Sequence, residues 1–511
     1  MAVKKSALSV IGIDSGTQGT KALIVDIETG EVRGRGYSAH AMIEGLGPGA
    51  SEQDPWTWVL AFESALAAAL KESAIDPKNV AAIGVSGQQH GFVPLDRDGL
   101  PIRPAKLWND TSTVEENDLL VDRLGGKTKA IEKLGIAPAV GFTASKVLWL
   151  KMHEPENFAG LAAVLLPHNF LNFHLTGRLH MEYGDASGTG LMDIRKQEWS
   201  AEALAAVDPD LAGKLPPLTH PKEPVGLMRE DVASRFGLGR VLVAGGGGDN
   251  MMGAIGTGNV LPGVCTLSLG TSGTVYSFVP RPFIDPEGEI AAFCDSTGGW
   301  LPLLCTMNVT NTTEMFKALH GLSNEGLEIL ASGAAPGAGG LVFLPFIDGE
   351  RVPVLPFGSG VLFGLDRRTF NKAHMARAVI EGTVLNLGFG FARMRALGMT
   401  PSEVRTTGGG SKSRLWLQIV ADVFRTPVVT LKEREAAAYG AALQAAWAFL
   451  LDKGERVGIA DITKERVKLN RLAADPNTKN FETYDILQTR FNSLWNSLND
   501  EFENHRKISK T

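Results

Sequence analysis

Two segments about half a chain apart share one design, and this repeat constrains the fold of the 511-residue chain more than any other feature. Ile11-Gly12-Ile13-Asp14-Ser15-Gly16-Thr17-Gln18-Gly19-Thr20 and Leu267-Ser268-Leu269-Gly270-Thr271-Ser272-Gly273-Thr274 each read as a strand, a tight Gly/Ser/Thr turn and a second strand. One such turn carries little information, since many hairpins use these residues. Two copies, in a chain long enough for more than one domain, imply a duplicated domain with a ligand between the halves.

Strands and helices alternate around the repeats. Apolar runs at 9–13, at 21–27 and around Val32, the last two joined by Glu28-Thr29-Gly30, predict an opening meander. Residues 56–70 have the spacing of an amphipathic helix that starts at Asp54-Pro55. A buried strand at 80–85 ends at Ser86-Gly87. Further strands are expected at 240–244, 264–269, 341–346 and 404–407, and helices at 373–391, 411–421 and 435–449. This alternation predicts an α/β architecture. The domain boundary is expected within 256–262, dividing the chain into 1–257 and 258–511. From about Leu450 the chain is charged and ends in a polar tail, 504–511, for which the sequence gives no role.

Composition excludes several classes. Hydrophobic residues make up 44% and charged residues 21%, which fits a globular protein rather than a disordered one. A net charge of -6 argues against general nucleic-acid binding, though not against a local anion pocket built from backbone N–H groups. Cys265, Cys294 and Cys305 lack metal-ligand or CxxC spacing and read as reduced core or near-core thiols. Lys4 and Lys5 precede an apolar run, but Asp14 breaks it too early for a signal peptide. No stretch is long and apolar enough for a bilayer, so a cytoplasmic protein with no membrane partner is expected.

Six clusters carry chemistry. In Asp14-Ser15-Gly16-Thr17-Gln18-Gly19-Thr20-Lys21 the glycines let N–H groups approach a phosphate, Thr17 and Thr20 add hydroxyls, and Lys21 adds charge. An acid beside such a turn repels phosphate unless a cation intervenes, which points to Mg²⁺ near Asp14. The same residues also suit an ordinary hairpin capped by Asp14. Gly270 and Thr271 offer similar donors without the acid or the lysine, and also suit a plain β-turn. Gly245-Gly246-Gly247-Gly248-Asp249-Asn250 follows a strand, and the glycines let backbone crowd a ligand. Asp249 is then placed to accept a hydroxyl proton, whereas helix capping alone needs no run of four glycines. Gln89 and His90, after the 80–85 strand, can hydrogen-bond a sugar where α/β sheets bind ligands. Trp108 with Asn109 and Asp110 offers an aromatic face beside polar groups, or a core tryptophan followed by a turn. Gly408-Gly409-Gly410 can pass beneath a base or receive a phosphate, or serve as a plain strand-to-helix loop; it matches neither the Walker nor the GxGxxG pattern.

Together, and in this order, the clusters resemble the FGGY carbohydrate kinases, and within them the xylulose kinases most closely. The resemblance extends to about Phe449 and includes Gly87-Gln88-Gln89-His90-Gly91, Leu107-Trp108-Asn109-Asp110, Gly141-Phe142-Thr143-Ala144-Ser145-Lys146 with Trp149, and Asp348-Gly349-Glu350-Arg351. It implies two actin-like, ribonuclease-H-like domains with ATP and sugar in the cleft between them. It implies Asp249 as general base, Asp14 as organiser of Mg²⁺, and Thr17, Gln18 and Thr271 on phosphates. Gly409, Gly410 and Arg414 would lie near the adenine, and Gln89, His90, Asp249 and Asn250 would hold the sugar. By family analogy the protein would be a homodimer.

The chain departs from the pattern at Gln89, where many xylulose kinases have Met, at Met152, and in the polar stretch 308–313. The reaction expected is phosphoryl transfer from ATP to D-xylulose. Ribulose, gluconate and glycerol are the rival acceptors, and an ATP-switched binding module is the rival outside enzymes. A pure switch needs no sugar site, so Asp249 and the Gln89-His90 pair favour a kinase.

Overall fold

The structure is a computed structural model and describes residues 8–509. Lys4 and Lys5, and the last two residues of the polar tail, lie outside the described residues.

The two repeats each begin a seven-stranded sheet. In the first, Ser9–Ser15, Gly19–Asp26 and Val32–Ala39 form the expected antiparallel meander. Val80–Gly87 joins Ser9–Ser15 in parallel, Leu242–Val243 joins Val80–Gly87 in parallel, and Gly226–Leu227 closes that edge antiparallel. In the second, Val264–Leu269, Gly273–Tyr276 and Trp300–Thr306 form the meander. Glu403–Thr407 and Val428–Leu431 then add in parallel, and Leu469–Ala474 closes antiparallel. The order of strand directions is the same in both, so the sequence echo extends to whole sheets. Every strand of the first sheet precedes the helix Asp249–Thr257, and every strand of the second follows it.

Local chemistry sets the elements. Asp54 accepts the backbone N–H of Trp56 and Pro55 opens the helix Pro55–Ser73, which buries Trp58, Phe62, Ala65, Leu66 and Ala69. The expected strand at 240–244 is only Leu242–Val243, because its pairing stops before the glycine run. The expected helix at 411–421 is displaced to Arg414–Phe424, since 409–412 forms a tighter 3₁₀ turn and Ser413 caps the helix. The charged region beyond Leu450 supplies an edge strand, Leu469–Ala474, and the long helix Phe481–Ser509. That helix buries Tyr484, Leu487, Phe491 and Phe502 in the second core, a helical stripe that the polar composition around it conceals. Among the described residues, no helix is long and apolar enough to cross a membrane.

The helix Ala436–Asp452 follows the parallel strands of the second sheet in sequence, yet it packs on the first sheet and on Asp249–Thr257. Its backbone lies so close that glycine is required beneath it. A Cβ at Gly12 would meet the Ala438 carbonyl oxygen at 1.9 Å, one at Gly84 the Ala441 oxygen at 2.1 Å, and one at Gly256 the Ala436 oxygen at 1.9 Å. Gly84→Ala therefore forces backbone apart and is expected to lower stability by about 2 kcal/mol or more in denaturant titration. The control Gly213→Ala meets nothing within 4 Å and should change stability by less than about 0.5 kcal/mol. Equal stability of the two variants would contradict this packing.

Candidate active site

Strand register brings three chain segments to one point. Asp14 pairs with Ser86, and Gly247 pairs with Ser86 from the other side, so Asp14 and the glycine run flank the end of Val80–Gly87. These are the carboxyl ends of parallel strands, where open α/β sheets bind ligands. Three glycines of the run, 246 to 248, have neighbours that crowd out a side chain. A Cβ at Gly247 would meet Ser296 Oγ at 2.4 Å, and one at Gly248 would meet Gln89 Cγ at 2.5 Å. Gly246 has φ +78° and sits against the Val85 carbonyl. Its peptide is held by Gln444, whose Oε1 accepts the Gly246 N–H at 2.8 Å and whose Nε2 donates to its carbonyl at 3.0 Å.

Asp249 is the first residue of the helix Asp249–Thr257; Gly248, not Asp249, is the N-cap. Its Oδ1 accepts the backbone N–H of Asn250 at 2.8 Å and the Asn250 side-chain amide at 3.0 Å. Asn250 then reaches both halves of the molecule. Its Nδ2 donates to Gln89 Oε1 at 2.6 Å, and its Oδ1 accepts from Thr274 Oγ1, just after the second turn, at 3.1 Å. Gln89, Asp249 and Asn250 therefore form one cluster, and Gln89 Nε2 donates to Met251 Sδ at 3.1 Å.

His90 is the next residue, with φ +59°, a conformation unusual outside glycine. Lys146 and Thr143 donate to its carbonyl at 2.7 and 3.2 Å, and its ring packs against Phe142 and Phe293, which also touch each other. Asp185 is close to it: the His90 N–H donates to Asp185 Oδ1 at 3.4 Å, and Nδ1 is 3.7 Å from the same oxygen. Asp185 also pairs with buried His168 at 3.1 Å. Sequence reasoning missed Asp185, since it is 95 residues from His90 and no local motif marks it. Arg351 was noted only as part of a motif. Its guanidinium lies 5.7 Å from the Trp108 ring, across the cleft from the first sheet.

The phosphate-turn residues divide. Trp108 Nε1 donates to Thr17 Oγ1 at 3.0 Å, so Trp108 and Thr17 meet. Gln18 is exposed at the tip of its turn. Lys21 is paired with Glu435 at 2.5 Å and would have to exchange partners to bind a phosphate. Asn109 and Asp110 turn away from Trp108: Asn109 accepts from Ser51 Oγ, and buried Asp110 pairs with Lys106. The second turn is buttressed by the helix Thr310–His320, because Thr310 N–H donates to the Gly270 carbonyl and Val309 N–H to that of Thr271. The polar stretch before that helix is explained by Asn308, which is buried and donates to the Gly349 carbonyl and to Glu350. Gly410 packs on Leu269, so the third glycine turn adjoins the second phosphate turn. Arg414 lies farther out, lining a cavity of about 520 Å³ with Glu325, Glu328, Ile329, Ser332 and Lys412.

Electrostatics separates the groups. Burial pushes Asp249 up to about 7, helped by the negative charges of Asp14 and Asp185 and opposed by the Asn250 N–H. Burial also raises Asp14, against the pull of Lys21 and the Ser86 hydroxyl that donates to Oδ1 at 2.9 Å. Burial lowers His90 to about 4, with Asp185 opposing, so its ring is neutral near pH 7. Burial raises both carboxylates and the charge of Asp14 raises Asp249 further, a crowding that a divalent cation would relieve. Among the described residues, no group of three or more His, Cys, Asp or Glu could hold a metal. Any ion here would thus rely on one or two carboxylates plus phosphate oxygens and water, a donor set suited to Mg²⁺.

Comparison with known proteins agrees with this arrangement. The N-terminal domain of the FGGY family of carbohydrate kinases matches residues 9–256, and the C-terminal domain of that family matches 265–449. The chain is 44% identical over 445 residues to a xylulose kinase of Haemophilus influenzae, covering 86% of this chain and 90% of that one. It is 40% identical over 440 residues to a xylulose kinase of Streptomyces coelicolor, covering 86% and 87%. The crystal structure of a gluconate kinase from Lactobacillus acidophilus superposes with a TM-score of 0.90 at 25% identity, covering 98% of this chain and 100% of that one. Two duplicated sheets with a carboxylate at their junction, and matches across both halves, give one conclusion: the chain belongs to the FGGY family of carbohydrate kinases.

Proposed function

We propose that this kinase transfers the γ-phosphoryl group of ATP to the terminal hydroxyl of D-xylulose, giving D-xylulose 5-phosphate, with Asp249 as the general base. The observation that carries the reading is the Asp249 carboxyl, held at the cleft between the two phosphate turns with its pKa raised to about 7. A base with that affinity is half ionised near neutrality and gains strength as a proton acceptor over an ordinary carboxylate.

The chain's own residues divide the work. Asp249 accepts the hydroxyl proton as the sugar oxygen attacks phosphorus. Asn250, Gln89 and neutral His90 hold the remaining hydroxyls, with Trp108 as a wall. Backbone N–H groups of Thr17, Gln18 and Thr271, with Lys21, receive the phosphates; the Gly270 N–H is held by the Ser272 carbonyl, so Gly270 gives the phosphates room and shapes the turn; and Gly409, Gly410 and Arg414 bound the nucleotide base. Mg²⁺ near Asp14 would neutralise charge on the phosphate oxygens. Closure of the cleft over the sugar would exclude water, which otherwise competes for the phosphoryl group.

D-Xylulose is favoured by the curated relatives, named xylulose kinases at 44% and 40% identity. A sugar acid is the second reading, favoured by the gluconate kinase superposition and by Gln89. ATP turnover with a panel of xylulose, ribulose, gluconate and glycerol tests this: D-xylulose should give the largest kcat/KM, and a clear preference for gluconate or glycerol would reject it. Asp249→Asn keeps the shape but cannot take the proton, and should lower kcat roughly 10²–10⁴-fold. The same variant should be more stable than wild type at pH 8. The folded pKa of Asp249 lies above its ordinary 3.8, so the stability it contributes is full below about 4 and is lost as pH rises through about 7. The advantage of Asp249→Asn in Tm should therefore shrink towards pH 5. A folded variant with near-wild-type kcat would remove Asp249 from the chemistry.

A further inference from the structure

A chain of side-chain amides behind the first phosphate turn has a direction that can be read from its ends. An indole N–H can only donate. Trp58 Nε1 donates to Gln53 Oε1 at 2.9 Å, which fixes that oxygen as acceptor and leaves Gln53 Nε2 to donate to the Thr17 carbonyl at 2.8 Å. Gln88 Nε2 donates to the same Gln53 oxygen at 2.9 Å, so Gln88 Oε1 must face the other way, as acceptor. It takes the Thr17 hydroxyl at 3.2 Å. The Thr17 oxygen, its proton given away, accepts the second indole, Trp108 Nε1, at 3.0 Å. Gln53 and Gln88 are both buried, so water does not compete for the bond between them, whereas Thr17 and Trp108 are half-buried.

We infer that Gln88 is a positioning residue that commits the Thr17 hydroxyl to Trp108, and that this hydroxyl connects the phosphate turn to the sugar wall instead of donating to a phosphate. The inference rests on the proposed sugar and phosphate sites and adds how they are coupled. When phosphate occupies the turn through backbone N–H groups, any shift of Thr17 is passed to the Trp108 ring. Conversely, a sugar packed on Trp108 holds the turn in place. Gln88 lies between Ser86-Gly87, which flank the glycine run, and Gln89-His90, so one segment sets the base, the wall and the turn together.

Steady-state kinetics and one spectroscopic signal test this. Thr17→Val removes the hydroxyl and Gln88→Leu removes its acceptor; each should raise the sugar KM about fivefold, as for loss of one net hydrogen bond, and should raise it more than the ATP KM. Thr17→Ser keeps the hydroxyl and should have a sugar KM well below that of Thr17→Val. A Thr17→Val enzyme with unchanged sugar KM and a raised ATP KM would overturn the inference, since the hydroxyl would then be a phosphate ligand. The second signal needs no sugar. The ¹⁵N indole resonance of Trp108, identified by its loss in Trp108→Phe, should move when ADP is added to wild type or Thr17→Ser, and should not respond in Thr17→Val. A resonance insensitive to ADP in wild type, or still responsive in Thr17→Val, would overturn the connection. A wild-type enzyme indifferent to D-xylulose but with an ADP-responsive Trp108 would instead remove only the proposed substrate.

Discussion

One buried side-chain amide, that of Gln444, grips the Gly246 peptide at both its N–H and its carbonyl, and the geometry of the cleft depends on it. Gly246 is the turning point of the glycine run, and Asp249 follows three residues later. Gln444 belongs to the helix Ala436–Asp452, which reaches this position only because Gly12, Gly84 and Gly256 let its backbone descend onto the first sheet and its neighbour helix. The strands Glu403–Thr407 and Val428–Leu431 that lead into this helix belong to the second sheet. The two halves are therefore fastened together at the point where the reacting groups gather. Glu435, one residue before that helix, adds an ion pair to Lys21 beside the first turn.

That fastening forces like charges together. Asp14, Asp249 and Asp185 converge where three strands end, and burial removes the water that would otherwise screen them. In the proposed reaction, the cost of ionising Asp249 is what would make it a proton acceptor matched to neutral pH. Neutral His90, strained at φ +59° and held by Lys146 and Thr143, fits the same logic.

Much of this was legible in the sequence because the repeats are local. Strand, turn and strand lie within ten residues, so the turn chemistry of Gly16, Gly19, Gly270 and Gly273 could be read directly, and the four glycines before Asp249 announced crowded backbone. What escaped depends on distant partners. Asp185 meets His90 from 95 residues away, and Glu435 meets Lys21 from the other end of the chain. The Thr17 hydroxyl looked like a phosphate donor until Gln88 and Trp108 were found bonded to it. The role of the last sixty residues was hidden because the apolar stripe of Tyr484, Leu487 and Phe491 is thinly spread through a charged helix. Asp110, read only as a polar group beside Trp108, has its side chain consumed by Lys106 and the Ser51 and Ser112 backbone.

The central claim is that a half-buried carboxylate at the junction of the two sheets is the base, with its pKa raised to about 7 by desolvation and by neighbouring acids. The pH dependence of kcat/KM for the sugar, at saturating ATP and Mg²⁺, addresses it most directly. The account predicts a rate that climbs tenfold per pH unit below about 7 and levels off above it. A profile flat from pH 5 to pH 8 would contradict it.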